Sequence, residues 1–335
     1  MSDDVLLSVA DLHVHFRVGG LMSTLAGQPS HIEAVAGVSF SIERGRTFAL
    51  VGESGSGKTT LARAVNGLQP ASAGSIRFEG RELIGVPKDE WKPIRRRMSM
   101  MFQDPVGSLS PRLSVRSLLA EPFVIHGLSR RDLNAEVMRL LALVGLPSEF
   151  ADRYPHQLSG GQARRVGVAR AVALDPVLII ADEPTAGLDV SVQGEVLNLL
   201  NDLRDRMGLS MLIITHNLHV VRQIADRMAV MYLGRFVEEG ETEPIFTKPH
   251  HPYTAALLSA NPEPDPDKVH NRIALPAEVP SLLDRPSGCE FHTRCPFARD
   301  KCAKVVPPST MVGASRITCH FPLNTELRLA TSESI

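Results

Sequence analysis

The stretch Thr47-Phe48-Ala49-Leu50-Val51-Gly52-Glu53-Ser54-Gly55-Ser56-Gly57-Lys58-Thr59-Thr60 decides the fold. Thr47 to Val51 has the length and apolar character of a short buried strand, and the pattern from Thr59 to Gly67 is a helix ending at glycine. The residues between them have the spacing GxxxxGK[ST]. Glycines let the backbone fold around an anion, so that amide N–H groups and the helix N-terminus face phosphates. Lys58 can then reach the β and γ phosphates, and the Thr59 hydroxyl can ligate Mg²⁺. Strand, glycine loop and helix in this order predict a nucleotide-binding α/β protein.

Two further stretches belong to the same chemistry. Leu178-Ile179-Ile180-Ala181-Asp182-Glu183 is a buried apolar strand ending in two acids. At the carboxyl end of a parallel strand, Asp182 can hold the Mg²⁺ shell, and Glu183 can polarise an attacking water. Leu158-Ser159-Gly160-Gly161-Gln162 sits at a predicted helix start and is a second anion-binding helix N-terminus. One nucleotide needs only one phosphate cradle, so the second requires an explanation.

Around these motifs the periodicity alternates. The first ~50 residues have β character in LLSVADLHVHF and AVAGVSFSI, with a loop over 19–30. Ser75–Phe78 and Met98–Phe102 are further strands, and Ser114–Gly145 turns helical. Helices at 160–174, 190–207 and 218–225 alternate with strands at 177–181 and 210–214, followed by a hairpin at 228–239. The result is an α/β core interrupted by a helical insertion at about 104–158. Past Lys248 prolines recur without sustained periodicity, which predicts a boundary there. The run Arg95-Arg96-Arg97 is expected to be a solvated face.

Composition narrows the classes. Among 335 residues, 36 Lys and Arg balance 37 Asp and Glu, a net charge of −1, which argues against a nucleic-acid partner. No apolar run approaches the ~20 residues of a membrane span. The acidic start MSDDVLLSVA lacks the pattern of a signal peptide, so a cytosolic chain is expected. All four cysteines, Cys289, Cys295, Cys302 and Cys319, lie late in the chain. In a reducing compartment such a group points to a metal or cluster site before disulfides.

The motif order resembles that of an ATP-binding cassette (ABC) ATPase: the loop at 52–59, Gln103 at a strand end, LSGGQ at 158–162, acids at 182–183, Gly187-Leu188-Asp189, and His216. The resemblance implies an α/β fold, with a RecA-like P-loop core, an antiparallel β subdomain and a helical subdomain, over residues 1–247. It also implies a composite site. Two cassettes face head to tail, and each ATP lies between one P-loop (Gly52 to Thr60) and the partner's Ser159, Gly160, Gly161 and Gln162. Glu183 would be the general base. Gln103 would sense Mg²⁺ and water, and His216 would contact the γ-phosphate. Asp189 would organise the interface, and Phe16 would stack on adenine, with His15 the competing candidate. Asn217 stands where many relatives carry Asp and can still cap a helix. Ala186-Gly187-Leu188 stands where Ser-Ala-Leu is common.

The tail selects a branch. Lys248-Pro-His-His-Pro-Tyr-Thr-Ala-Ala-Leu-Leu-Ser259, Gln103-Asp104-Pro105, Ser108-Leu109-Ser110-Pro111-Arg112, Gly288 to Pro296 and Cys319-His320 resemble the ATPases of oligopeptide and dipeptide importers. This implies a small Cys-containing C-terminal extension, 248–335. The four cysteines would hold a [4Fe–4S] cluster, with zinc, or reduced thiols or disulfides, as the alternatives, and His292 and His320 would be exposed loop residues. The implied partners are a second ATPase subunit, a heterodimer being favoured, two transmembrane permeases and, indirectly, an external solute-binding protein. The implied location is the cytoplasmic face of the cell membrane. A nickel importer of the same branch and a soluble ABC protein of DNA repair or translation are the rival readings.

Overall fold

The computed structural model describes residues 4–17, 31–104, 107–128, 132–260, 273–276 and 278–324. The loop expected over 19–30 lies outside the described residues. Strands β1 (Val5–Arg17) and β2 (His31–Glu43) pair antiparallel from Val5↔Glu43 to Arg17↔His31. All five residues of β3 (Thr47–Val51) are buried, and the glycine loop leads from it into α1 (Lys58–Val65). The hairpin β4 (Ala73–Phe78) and β5 (Arg81–Glu82) completes a four-stranded sheet of order β2-β1-β4-β5.

Helix α2 (Trp91–Arg97) runs into β6 (Met98–Met101). Arg95, Arg96 and Arg97 are exposed, as expected of a solvated face; at that surface the Arg97 guanidinium grips Glu79 at 2.6 and 2.7 Å, and Arg95 lies over the Trp91 ring. The helical insertion supplies α3 (Val115–Ile125) and α4 (Leu133–Leu143), N-capped by Ser114 and Asp132, and then α5 (Gly160–Val172). There follow β7 (Leu178–Asp182), α6 (Val190–Met207), β8 (Ser210–Thr215), α7 (Leu218–Ile224), β9 (Arg227–Tyr232) and β10 (Arg235–Glu241). The remainder holds α8 (Thr242–Thr247), α9 (Pro252–Ser259), α10 (Asp300–Lys304) and the hairpin β11 (Ser309–Val312) and β12 (Ser315–Thr318).

The large sheet has the order β11-β12-β10-β9-β3-β8-β7-β6, parallel from β9 through β6. A parallel sheet buried on both faces needs continuous apolar strands. Ile179, Ala181, Met211 and Ile213 enter the core under the helices of the insertion. Their neighbours Leu178, Ile180, Leu212 and Ile214 enter the core shared with the antiparallel sheet and α1. A third core joins Val51, Tyr232 and Tyr253 to Phe291 of the extension. The extension also adds β12 to the sheet edge at Glu238↔Ile317 and Glu239↔Arg316. Residues past 248 therefore share both sheet and core with those before it.

Candidate nucleotide and catalytic site

Strand order assembles the site. Val51 of β3 pairs with Thr215 of β8, Asp182 of β7 with Ile214, and Met101 of β6 with Ala181. The glycine loop, His216, the acid pair and Gln103 thus emerge side by side at the carboxyl edge, where open α/β sheets bind ligands. Gln103 itself is exposed. Gly57 shows why that loop needs glycine. Its φ is +103°, and a Cβ there would stand 2.1 Å from the Ala34 carbonyl. The loop also docks on the β9–β10 turn, where Gly234 N–H donates to the Ser56 carbonyl at 2.9 Å.

Lys58 is almost fully buried, and its Nζ donates to the carbonyls of Gly52 and Glu53, each at 2.8 Å, and to Ser56 Oγ. Burial lowers its pKa, opposed by the charges of Glu183, Asp182 and Glu53. Asp182 is buried, and burial raises its pKa against a hydrogen bond from Thr59. Its Oδ1 is buried without a partner. A buried carboxylate oxygen with no donor, beside a threonine hydroxyl, fits a hard divalent cation such as Mg²⁺.

Glu183 occupies the left-handed region at φ +52°, a conformation costing on the order of 1–3 kcal/mol that surrounding bonds must hold. Its N–H donates to the Ile214 carbonyl at 2.8 Å. Its carboxylate accepts from Thr215 Oγ1 at 3.3 Å and from the His216 amide at 3.2 Å, and it lies 2.7 Å from His216 Nδ1. Glu183 is thereby aimed by its neighbours, while the His216 ring stays two-thirds exposed. Thr215 is absent from the residues singled out by sequence, because a buried strand threonine carries no signal of its own.

The second glycine motif lies apart from the first. Ser159 caps α5 and shares a capping box with Gln162, and Gly160 and Gly161 pack toward Leu188 and Val192. Ser159 and Gly160 are exposed. Asp189 caps α6 through the Val192 amide and the Ser191 hydroxyl. Buried Arg164 links the two segments by donating to the Ala186 carbonyl at 2.7 Å. Asn217 caps α7, as expected. Phe16 pairs with Ile32, two residues from the Ala34 carbonyl that packs on Gly57, and its ring is exposed. His15 instead turns to Glu33, in a group with His13.

The four cysteines are free thiols lining one small cavity with Phe291, Phe297 and Phe321. Burial pushes Cys289 up to about 11 and Cys319 up to about 12. Four convergent thiols fit a thiolate-bound group. Around a single zinc with bonds of ~2.3 Å, the sulfurs would lie about 3.8 Å apart. Among the described residues, only His13, His15 and Glu33 bring three ligand atoms within 4.8 Å of one another. The cysteine set is thus wider than a one-ion site. His292 and His320 are half-buried at this cavity rather than exposed, because each places a ring nitrogen on a backbone carbonyl, of Cys289 and Val305.

Fold and site together define an ATP-hydrolysing P-loop cassette. The pattern described as "ABC transporter" matches residues 35–186, and "Oligopeptide/dipeptide transporter, C-terminal region" matches 237–302. The oligopeptide transport ATP-binding protein OppF of Escherichia coli (strain K12) is 46% identical over 307 residues, 90% of this chain and 92% of that one. The di/tripeptide transport ATP-binding protein DppF of Pseudomonas aeruginosa is 43% identical over 319 residues, 95% and 98% of the two chains. A dimeric ATP-binding cassette solved in a post-hydrolysis state with ADP and Pi superposes with a TM-score of 0.62 at 26% identity, over 71% of this chain and 99% of the other. The chain belongs to the family of ATP-binding subunits of oligopeptide/dipeptide ABC transporters. It is an ATPase subunit that dimerises and works with membrane permeases. Among the described residues no helix is long and apolar enough to cross a membrane.

Proposed function

We propose that this chain energises the import of di- and oligopeptides by ATP-driven closure of a cassette dimer. The observation that carries the reading is the C-terminal extension, which matches the oligopeptide/dipeptide transporter region and is built into the sheet of the cassette. Near full-length relatives named for peptide transport support it. The chain sits peripherally on the cytoplasmic face of the membrane, beside two permeases, and an external binding protein delivers the solute. Two related but different ATPase subunits form the dimer.

Within it the residues divide the work. Gly52 to Thr60 hold the phosphates, Phe16 stacks on adenine, and Thr59, Asp182 and Gln103 hold Mg²⁺. That ion, when bound, neutralises charge developing on the transferred phosphoryl group. Glu183, aimed by Thr215 and the His216 amide, polarises the attacking water, and His216 turns toward the γ-phosphate. Ser159 to Gln162 act on the partner's nucleotide, which explains an exposed phosphate cradle away from the chain's own P-loop. Asp189 shapes the interface. A permease element docks in the cleft between β6 and α3, where Phe102 and Ile125 are exposed beside Arg96, His126 and Arg170.

The cysteines hold a [4Fe–4S] cluster. The width of the set and its burial among aromatic rings favour a cluster over one zinc. No redox step belongs to ATP hydrolysis, so the cluster is structural. Mild-detergent pull-down from membranes should recover a permease pair and a second ATPase; recovery with ribosomes or DNA instead would refute transport. Anaerobic purification should give iron and sulfide in equal amounts, whereas one zinc per chain would refute the cluster.

A further inference from the structure

The phosphate-binding loop contains an acid, Glu53, where a triphosphate must bind. An uncompensated carboxylate there would repel the ligand. The extension supplies the compensation. Arg294 Nη1 and Nη2 donate to Glu53 Oε2 and Oε1 at 2.7 and 3.1 Å, across 241 residues of sequence. Tyr253 Oη donates to Glu53 Oε2 at 3.1 Å and accepts from the Glu53 amide at 3.1 Å. Neither partner is free to wander. Tyr253 is fully buried and Arg294 is 5% exposed. Tyr253, Tyr232 and Phe291 form one ring cluster with centroids 4.9–5.3 Å apart. The Arg294 amide donates to the Phe291 carbonyl, so Arg294 is fixed by the same turn that carries Cys289 and Cys295. On its other side, the Glu53 carbonyl accepts from Lys58 Nζ at 2.8 Å.

We propose that Arg294 is a positioning residue for ATP binding: from the cysteine-bearing turn it neutralises and orients Glu53, and so prepares the P-loop for a triphosphate. The bidentate fork sets carboxylate direction as well as charge. The inference concerns the ATPase site itself and is independent of which solute is transported.

The test uses the full chain, a fluorescent ATP analogue with Mg²⁺, and turnover measured in the assembled transporter. Arg294→Met keeps the packing of the stem and removes the charge. It should raise the Kd and the KM for ATP at least tenfold, with kcat within twofold. Adding Glu53→Gln to Arg294→Met removes the stranded acid and should restore Kd to within about threefold of the parent. A merely structural role predicts no such rescue. Unchanged affinity in folded Arg294→Met, or a double variant no better than the single, would overturn the proposal. Arg294→Lys decides the matter where Arg294→Met does not fold: it keeps the charge and loses the two-pronged fork on Glu53. A Kd raised at least threefold supports the proposal, and a Kd within twofold of the parent overturns it.

Discussion

At the scale of single residues, the site is held by a few buried polar contacts, and these divide into legible and illegible ones. Asp182 and Glu183 are legible because two acids closing an apolar strand are chemically conspicuous. Thr215 is not, since its value lies in reaching Glu183 from the next strand. Glu183→Gln should lower ATP turnover by about 10²–10⁴-fold while leaving ATP binding intact; phosphate release and nucleotide titration on the same preparation check this. Asp182→Asn removes a carboxylate that burial disfavours and whose Oδ1 has no partner. It should abolish Mg²⁺-dependent turnover and raise the melting temperature by about 2 °C, the usual exchange of function for stability.

At the scale of elements, Glu238 of β10 joins cassette to extension. Its fully buried carboxylate accepts from the amides of His250 and His251 at 2.8 and 2.9 Å, just ahead of α9. Glu238→Ala strands both amides, at a cost of about 1–3 kcal/mol for each buried group, and should expose the segment near 248 to limited proteolysis. Burial raises the Glu238 pKa above the ordinary glutamate value. The folded state then holds the proton to higher pH than the unfolded state. The stability linked to Glu238 is complete below pH ~4.5 and declines as pH rises through the folded pKa. The melting temperature of Glu238→Gln relative to the parent should therefore climb across that interval. The extension's strands were not legible. Ser309–Val312 is mostly exposed, and Ser315–Thr318 alternates buried and exposed positions but offers only Ile317 as a large apolar side chain in four residues, too short a run to mark a strand. The long core elements were legible because burial on both faces of a parallel sheet demands unbroken apolar runs.

At the scale of the whole molecule, the cassette carries two glycine motifs at helix N-termini, the P-loop and the Ser159–Gln162 segment, and in the proposed function the second serves a partner's nucleotide. Ser159→Arg should leave ATP binding to the isolated chain unchanged and abolish turnover in the assembled transporter, and equilibrium binding against steady-state hydrolysis separates the two. The sequence by itself determined the P-loop α/β class, the order of the ATPase motifs and the branch marked by the tail. Each of those is local: a glycine spacing, a strand that ends in acids, a helix cap. Only the tertiary structure decided that Gln103, Asp182, Glu183 and His216 share one sheet edge, that the extension continues the sheet, and that Arg294 holds Glu53. Those relations depend on strand order and on burial shared between distant segments. A side chain acquires them from its neighbours in space, and nothing in its own stretch of sequence records them.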